Sequence, residues 1–251
     1  VVLFALAISL NTTAKWSMKS IQAHEVGTGV RLVAIFDIAG MIKRLPDVKL
    51  EVLQREGFDT AAWEAAARAT FSAERVDRLD QRGFSGPRAL EMRDILRQWW
   101  DLMSSHPGTY LAHRMDVFGW HSGLRDQATC LPVHVGIESG PLTPDAGIKL
   151  QASRWSPVLY GWSRDFVNTP YFAPAAWNAL SLVILAIFAW RQRWQDPVLW
   201  LQVAALTYSL SYLFAGFSCD FRYSYFSVLA SGIGFIRLCA DGLPVPRPQH
   251  A

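Results

Sequence analysis

Residues 197–219, PVLWLQVAALTYSLSYLFAGFSC, form a run of 23 residues without a single charged side chain. Residues 171–190, YFAPAAWNALSLVILAIFAW, form a second uncharged run of 20 residues. A helix needs about 20 mainly apolar residues to cross the hydrocarbon core of a bilayer. A buried helix of a soluble protein normally keeps a polar stripe, and these runs contain only scattered polar residues. Both runs therefore predict membrane-spanning helices.

A third apolar segment at 223–240 predicts a further span. Its first 14 residues carry no charge, and the long side chain of Arg237 can reach the membrane surface from inside the helix. Aromatic residues such as Trp190 and Trp200 lie at the ends of the predicted spans, where amphipathic rings settle at the membrane surface. The tail at 242–251 is rich in proline and is predicted to be disordered.

Most of the charge is concentrated ahead of these spans. Residues 13–170, which we call the polar domain, carry 19 of the 24 Lys and Arg and 18 of the 21 Asp and Glu. Helical patterns at 59–71, 86–103 and 106–124 predict a mainly helical domain, with Pro107 starting the third. The fold class is therefore a mainly α integral membrane protein with about three C-terminal transmembrane helices and a mostly helical extracytoplasmic domain.

The orientation follows from the short loop RQRWQD at 191–196, which carries two arginines between the first two spans. Short positively charged loops stay in the cytoplasm. The polar domain and the turn at 220–222 then lie outside the cytoplasm, in a multi-pass membrane protein. Residues 1–12 include ten consecutive apolar residues, too few to cross a bilayer, and are expected to end a transmembrane helix that begins before Val1.

The sequence lacks the patterns that are typical of several classes of function. The net charge of +3 is spread out, without the basic stripe typical of nucleic-acid binding. No phosphate-binding loop or zinc-protease motif is present, and no cofactor or metal is predicted. The three cysteines are far apart and are interpreted as inert thiols. His106, His113 and His121 are spaced too widely for one metal site and are assigned ordinary polar or capping roles.

Charged residues lie within or next to apolar sequence at two positions. Asp37 lies within VRLVAIFDIAGMI at 30–42, where it either faces a cavity or partner or lies on the wet side of an amphipathic helix. Asp220 and Arg222 lie between the second and third spans. They form either a local ion pair that marks the membrane boundary or a site in which Arg222 contacts a lipid phosphate through its planar fork.

Four stretches carry a resemblance to a known family: IFDIAGM (35–41), FSAERVDRL (71–79), HPGTYLAHRMDVF (106–118) and CDFRYSYFSVLA (219–230). Their order and layout resemble the C-terminal part of bacterial polytopic glycosyltransferases of the GT-C superfamily. The similarity is to the group that includes the dolichyl-phosphate-mannose-type enzymes and the O-antigen glucosyltransferases.

The resemblance implies transfer of a sugar from a polyprenyl-phosphate-linked donor on the extracytoplasmic face of the bacterial inner (plasma) membrane. It also implies a catalytic acidic residue in the first outer loop, upstream of Val1, so no catalytic residue is assigned in this chain. Arg222 and Tyr223 match the family's donor-phosphate pair, although Ser224 stands where a proline often follows. The predicted substrate contacts are Arg222, Tyr223, Asp220 and Asp37.

An alternative function belongs to a different class. The chain would be a non-enzymatic membrane protein whose outer domain binds a partner during assembly of the cell envelope. The sequence leaves the donor sugar, the acceptor and the oligomeric state open.

Overall fold

A computed structural model of the chain describes residues 29–76, 87, 90–125, 130, 153–167 and 169–241. The described part is mainly helical, and its β pairing is limited to an isolated antiparallel bridge between Arg75 and Ser218. The predictions for residues 1–12 and for the tail at 242–251 lie outside the described residues.

The helices fall into two groups along the chain. The polar domain contains α1 (Gly29–Arg44), α2 (Glu51–Arg55), α3 (Thr60–Thr70), α4 (Met92–Ser105), α5 (Pro107–His121) and α6 (Ser156–Arg164). The second group, called the bundle, contains α7 (Pro174–Trp190), α8 (Pro197–Ala215) and α9 (Tyr225–Ala240). Short 3₁₀ turns at Pro170–Phe172 and Phe221–Ser224 precede α7 and α9.

Helix α1 is the centre of the polar domain. Every residue from 33 to 42 is buried, so the helix is covered on all sides by α3, α4 and α5. A helix that is apolar all round has no face suited to water, which explains this central position. The apolar segment at 30–42 therefore forms the core of the polar domain.

The neighbouring helices follow their local sequence signals. The side chain of Asp59 caps α3 by accepting a 3.0 Å hydrogen bond from the backbone amide of Ala62. Helix α4 begins at Met92, six residues after the start of the helix predicted at 86–103. Ile95 and Leu102 on α4 are buried against α1.

Helix α5 begins at Pro107, as its sequence predicted, and buries an unexpected face. The apolar side chains of Leu111 and Met115 are more than half exposed. The buried face instead carries His113, Arg114, Val117 and His121. Polar side chains therefore occupy the inner side of this helix, because they contact polar and aromatic partners on α1 and α8.

Among the described residues, two helical segments are long and apolar enough to cross a membrane, namely Pro197–Ala215 and Phe221–Ala240. Helix α7 is a shorter apolar helix of 17 residues, because the 3₁₀ turn at Pro170–Phe172 takes up the first part of the uncharged run. At 1.5 Å per residue, the 19 residues of α8 are about 28 Å long, close to the thickness of a bilayer core.

The bundle buries hydrogen-bonded polar side chains beside apolar ones such as Ile184 and Phe188. Ser181 donates a 2.9 Å hydrogen bond to the side-chain oxygen of Gln202, whose amide donates to the carbonyl of Ala230 at 2.9 Å. The hydroxyls of Ser181 and Ser231 lie 2.8 Å apart. Large apolar side chains on the opposite faces are exposed, including Leu182, Leu210, Phe214, Leu229, Phe235 and Ile236. The outer surface of a helical bundle folded in water is normally polar.

Charged side chains close one end of the bundle. Arg237 forms ion pairs with Asp196 at 3.7 Å and with Asp241 at 3.0 Å, and Arg193 also pairs with Asp241. The loop between α7 and α8 therefore meets the end of α9 at this end. The Asp220 turn lies at the other end, called the outer end, because α8 and α9 run in opposite directions.

The polar domain is joined to the outer end by backbone hydrogen bonds. The amide of Cys219 donates to the carbonyl of Glu74 at 2.9 Å, and the amide of Val76 donates to the carbonyl of Phe217 at 2.9 Å. At the start of α7, the amide of Ala175 donates to the carbonyl of Ser122 at 2.8 Å. The two groups of helices thus share a continuous contact.

A disulfide bond reinforces this contact and corrects the interpretation of all three cysteines as inert thiols. Cys130 and Cys219 are bonded, with their Cα atoms 5.3 Å apart and a sequence separation of 89 positions. Only Cys239 is a free thiol, and it is exposed. The wide sequence spacing gave no sign of the pair, because the fold alone brings these segments together.

We expect native protein, denatured without reduction, to react with a maleimide at one thiol, and reduced protein to react at three. A Cys239→Ser variant should react at none before reduction. Cys130→Ser with Cys219→Ser should lose about 2–5 kcal/mol of stability because the cross-link no longer restricts the unfolded chain. Mass spectrometry counts the adducts, and three adducts without reduction would contradict the disulfide.

Candidate functional site

Two groups of polar and charged side chains lie near the contact between the polar domain and the bundle. The first, called the Asp37 cluster, consists of Asp37, Trp99, His113 and Arg114. The second, called the arginine site, consists of Asp220, Arg222 and Tyr223 at the outer end. The four predicted substrate contacts are thus divided between two separate sites.

Asp37 lies on α1 with no exposed surface, and both of its carboxylate oxygens accept hydrogen bonds. His113 Nε2 lies 2.9 Å from Oδ1. Oδ2 accepts from Arg114 Nη2 at 2.7 Å and from Trp99 Nε1 at 2.9 Å. A buried carboxylate is tolerated when it is paired and hydrogen-bonded in this way.

Sequence spacing on two helices makes the Asp37 cluster possible. His113 and Arg114 are adjacent on the buried face of α5, so both reach the same carboxylate. Gly40, one turn after Asp37, leaves room for the imidazole, since a Cβ atom there would lie 2.3 Å from Cε1 of His113. A larger residue at position 40 would therefore displace the histidine.

Arg114 extends the cluster to the bundle. Its Nη1 donates a 2.6 Å hydrogen bond to the carbonyl of Gly216, the residue that ends α8. Its guanidinium also lies over the ring of Tyr110, with the central carbon 5.9 Å from the ring centroid. Burial, and then the charge of Asp37, raises the pKa of the Tyr110 hydroxyl, so this tyrosine stays neutral. One guanidinium thus links α1, α5 and the end of α8.

These contacts decide between the two interpretations of Asp37. The interpretation that Asp37 lies on the wet side of an amphipathic helix is wrong, since the carboxylate is fully buried. The interpretation that it faces a partner fits, and the partner is the protein's own α4 and α5. Both oxygens are occupied, so a sugar could reach Asp37 only if the cluster opened. Its role as a substrate contact stays a prediction.

The arginine site has a different geometry. Arg222 Nη2 donates a 2.7 Å hydrogen bond to Oδ2 of Asp220, and Arg75 lies 3.6 Å from the other carboxylate oxygen. The side chain of Arg222 is 66% exposed, whereas that of Asp220 is only 12% exposed. The anion is therefore directed inward and the cation is presented at the surface.

Aromatic rings surround this cation on the bundle side. The guanidinium of Arg222 lies 5.2 Å from the ring centroid of Tyr223. The Tyr223 ring lies 5.9 Å from that of Tyr212, whose hydroxyl is 2.8 Å from that of Tyr208. Tyr208 in turn contacts Phe226 on α9 at 5.5 Å between ring centroids. Together they form an aromatic band that runs from Arg222 along α8 and α9.

His121 connects this band to the polar domain. Its ring stacks on Tyr212 with the centroids 4.0 Å apart and the planes 12° apart. Burial lowers the pKa of His121 to about 4, so the ring is neutral near pH 7. His113 and His121 thus lie in separate places, His113 against Asp37 and His121 against Tyr212. Within the described residues, no group of three or more His, Cys, Asp or Glu side chains could hold a metal ion.

Comparison with protein-family models, with curated proteins and with solved structures finds no match for this chain.

Sequence patterns alone missed most of the Asp37 cluster. His113 was predicted to have an ordinary polar or capping role, and no site role was predicted for Arg114. One signal was present in the sequence: an uncompensated Asp in an apolar helix requires a buried cation or several donors. The sequence did not show which of the chain's arginines would supply the cation.

We expect Asp37→Asn to cost about 3–5 kcal/mol of stability, because Arg114 would keep a buried charge without its partner. Asp116→Asn is the matched control, since Asp116 is on the same helix as Arg114 and pairs near the surface with Arg44 and Arg125. That change should cost at most about 1 kcal/mol. Thermal unfolding of both variants in detergent measures the difference, and equal small losses would show that the buried ion pair is dispensable.

Proposed function

We propose that the chain is an integral membrane protein in which α7, α8 and α9 span the bilayer. The observation that supports it is the apolar outer surface of the bundle, together with the polar side chains that hydrogen-bond between its helices. Ser181, Gln202 and Ser231 hydrogen-bond inside, while exposed positions carry residues such as Phe214 and Ile236. Helices in lipid associate through small and polar side chains, because apolar side chains are solvated by the acyl chains and gain little from contact with another helix.

We also propose that the outer end and the polar domain lie outside the cytoplasm. The Cys130–Cys219 disulfide supports this orientation, because disulfides persist in oxidising compartments and are rare in the cytoplasm. Free Cys239 lies at the opposite end of the bundle, near the arginines of the loop at 191–196. The positive-inside rule and the cysteine chemistry thus independently favour the same orientation.

The leading proposal for activity is transfer of a sugar from a polyprenyl-phosphate-linked donor at the outer end. The observation that carries it is the exposed guanidinium of Arg222, held by the buried carboxylate of Asp220. At the outer end of a spanning bundle, this cation would lie at the level of lipid phosphates. The aromatic band beside it offers a surface for a sugar ring or an acyl chain.

The chemistry of such a transfer assigns Arg222 a defined task. The acceptor hydroxyl attacks the anomeric carbon, the bond from that carbon to the phosphate oxygen breaks, and the lipid phosphate leaves with additional negative charge. A fixed guanidinium stabilises that charge as it develops. The acceptor proton requires a base, and Asp37 is not proposed for it because both of its oxygens accept hydrogen bonds from the protein.

One observation favours the alternative, a membrane protein whose outer domain binds a partner. Leu111 and Met115 form an exposed apolar pair one turn apart on α5, and Trp100 on α4 is 63% exposed. Exposed apolar groups of this kind are typical of contact surfaces when they cluster. The two proposals share the membrane topology and differ in whether the arginine site binds a lipid phosphate.

Topology can be tested with Cys239, which should react only from the cytoplasmic side. A membrane-impermeant maleimide should label it in inverted membrane vesicles and leave it unlabelled in intact spheroplasts. Adding the reagent after detergent lysis controls for reactivity. Labelling in spheroplasts alone would reverse the proposed orientation.

We expect Arg222→Ala to remove about 2–4 kcal/mol of transition-state stabilisation in sugar transfer, because one electrostatic donor to the leaving phosphate is lost. Arg222→Lys should lose much of the activity too, since lysine keeps the charge without the bidentate fork. Transfer of radiolabelled sugar from polyprenyl-phosphate donors into the envelope fraction measures this. Binding of undecaprenyl phosphate by native mass spectrometry should weaken in parallel.

Arg237→Ala is the matched control, an arginine paired with aspartate at the opposite end of the bundle. It should retain activity and lipid binding. Membrane abundance of every variant is measured in parallel. We expect it to be unchanged, because an exposed ion pair contributes at most about 1 kcal/mol to stability. Unchanged lipid binding and transfer by Arg222→Ala at normal abundance would reject the lipid-phosphate role and leave the partner-binding alternative.

A further inference from the structure

Helix α6 and its flanking residues carry a stripe of large apolar side chains on the exposed face. Trp155, Leu159, Trp162 and Phe166 are spaced four, three and four residues apart, which places them on one side of a helix. Their exposed fractions are 58%, 61%, 64% and 40%, and Val158 in the same stripe is 60% exposed. Water is a poor solvent for a surface of this composition.

The opposite side of α6 does not resemble a helix that packs into a core. Its only buried residue is Ser163, which donates a 3.0 Å hydrogen bond to the carbonyl of Tyr160 in the preceding turn. The helix therefore directs its small polar residue toward the protein and its apolar face away from it. A soluble domain would orient such a helix the other way.

Charge and aromatic character distinguish this stripe from a generic apolar patch. Arg154 precedes it and lies over Trp155, with its guanidinium carbon 5.4 Å from the ring centroid. Arg164 ends the helix. Trp rings flanked by arginines are typical of helices that lie in the membrane surface, where the rings enter the acyl boundary and the cations meet lipid phosphates.

The chain also places α6 close to the outer end of the bundle. Only nine residues separate the end of α6 at Arg164 from the start of α7 at Pro174, and the connection is shortened by turns such as that between Thr169 and Phe166. Tyr171 in this connection is exposed, and its carbonyl accepts a 2.8 Å hydrogen bond from the indole of Trp177 on α7. A short connection therefore ties the stripe to the start of a proposed membrane-spanning helix.

We propose that α6 is an interfacial helix that lies flat on the outer leaflet, with its stripe inserted at the boundary between headgroups and acyl chains. The occupant of the stripe is thus the same bilayer that surrounds the bundle. This inference rests on the proposed membrane topology. Its consequence is mechanical, because a second attachment of the polar domain to the membrane would hold the arginine site at the level of lipid phosphates.

The experiment uses nitroxide spin labels on the full chain in vesicles of phosphatidylethanolamine and phosphatidylglycerol. In a Cys239→Ser background, labels are attached at Leu159→Cys or Trp162→Cys on the stripe. Leu182→Cys reports a lipid-facing position of α7, and Glu56→Cys reports an exposed position of the polar domain. Power saturation compares collisions with oxygen, which favours lipid, against collisions with a water-soluble nickel complex.

We expect the stripe labels to give an oxygen-to-nickel ratio between those of Leu182→Cys and Glu56→Cys. A ratio equal to that at Glu56→Cys, with Leu182→Cys deep in lipid, would overturn the interfacial helix and leave the spanning bundle intact. Low collision rates with both reagents at the stripe would show that protein covers it, either a second copy of the chain or another partner, and would also overturn the proposal. An aqueous ratio at Leu182→Cys would overturn the membrane topology itself.

Discussion

The salt bridge between Asp37 and Arg114 is the contact on which the arrangement of the described residues depends. It joins the central helix of the polar domain to α5, and the other nitrogen of the same guanidinium binds the carbonyl of Gly216 at the end of α8. Removing either partner would leave a buried charge that costs several kcal/mol. A single arginine therefore fixes both the packing inside the domain and its position on the bundle.

The polar domain and the bundle differ in the kind of side chain that they expose. In the polar domain the apolar side chains of α1 are buried, as in any protein folded in water. In the bundle, hydrogen-bonded hydroxyls and the amide of Gln202 are buried beside apolar residues such as Phe188, and many other large apolar residues are exposed. The disulfide at Cys219 and the backbone pairing at Arg75 lie where the two patterns meet. The contact thus combines covalent, ionic and backbone interactions.

The arginine site lies at this same junction. Asp220 is held from the polar domain by Arg75 and from the bundle by Arg222, so its orientation depends on both parts. The aromatic band continues from Tyr223 to Tyr212, which stacks on His121 of α5. The arginine site is therefore built from side chains of both parts of the chain.

The sequence by itself determined the elements that depend on local signals. Uncharged runs predicted the helices of the bundle, Asp59 and Pro107 marked two helix starts, and the charge partition separated the two parts of the chain. Tertiary structure alone decided which residues 77 or 89 positions apart would meet, as Arg114 does with Asp37 and Cys219 with Cys130. Periodicity carries information within a helix, whereas the choice among many arginines and three cysteines depends on how the helices pack. That is why the Asp37 cluster and the disulfide could be identified only from the tertiary structure.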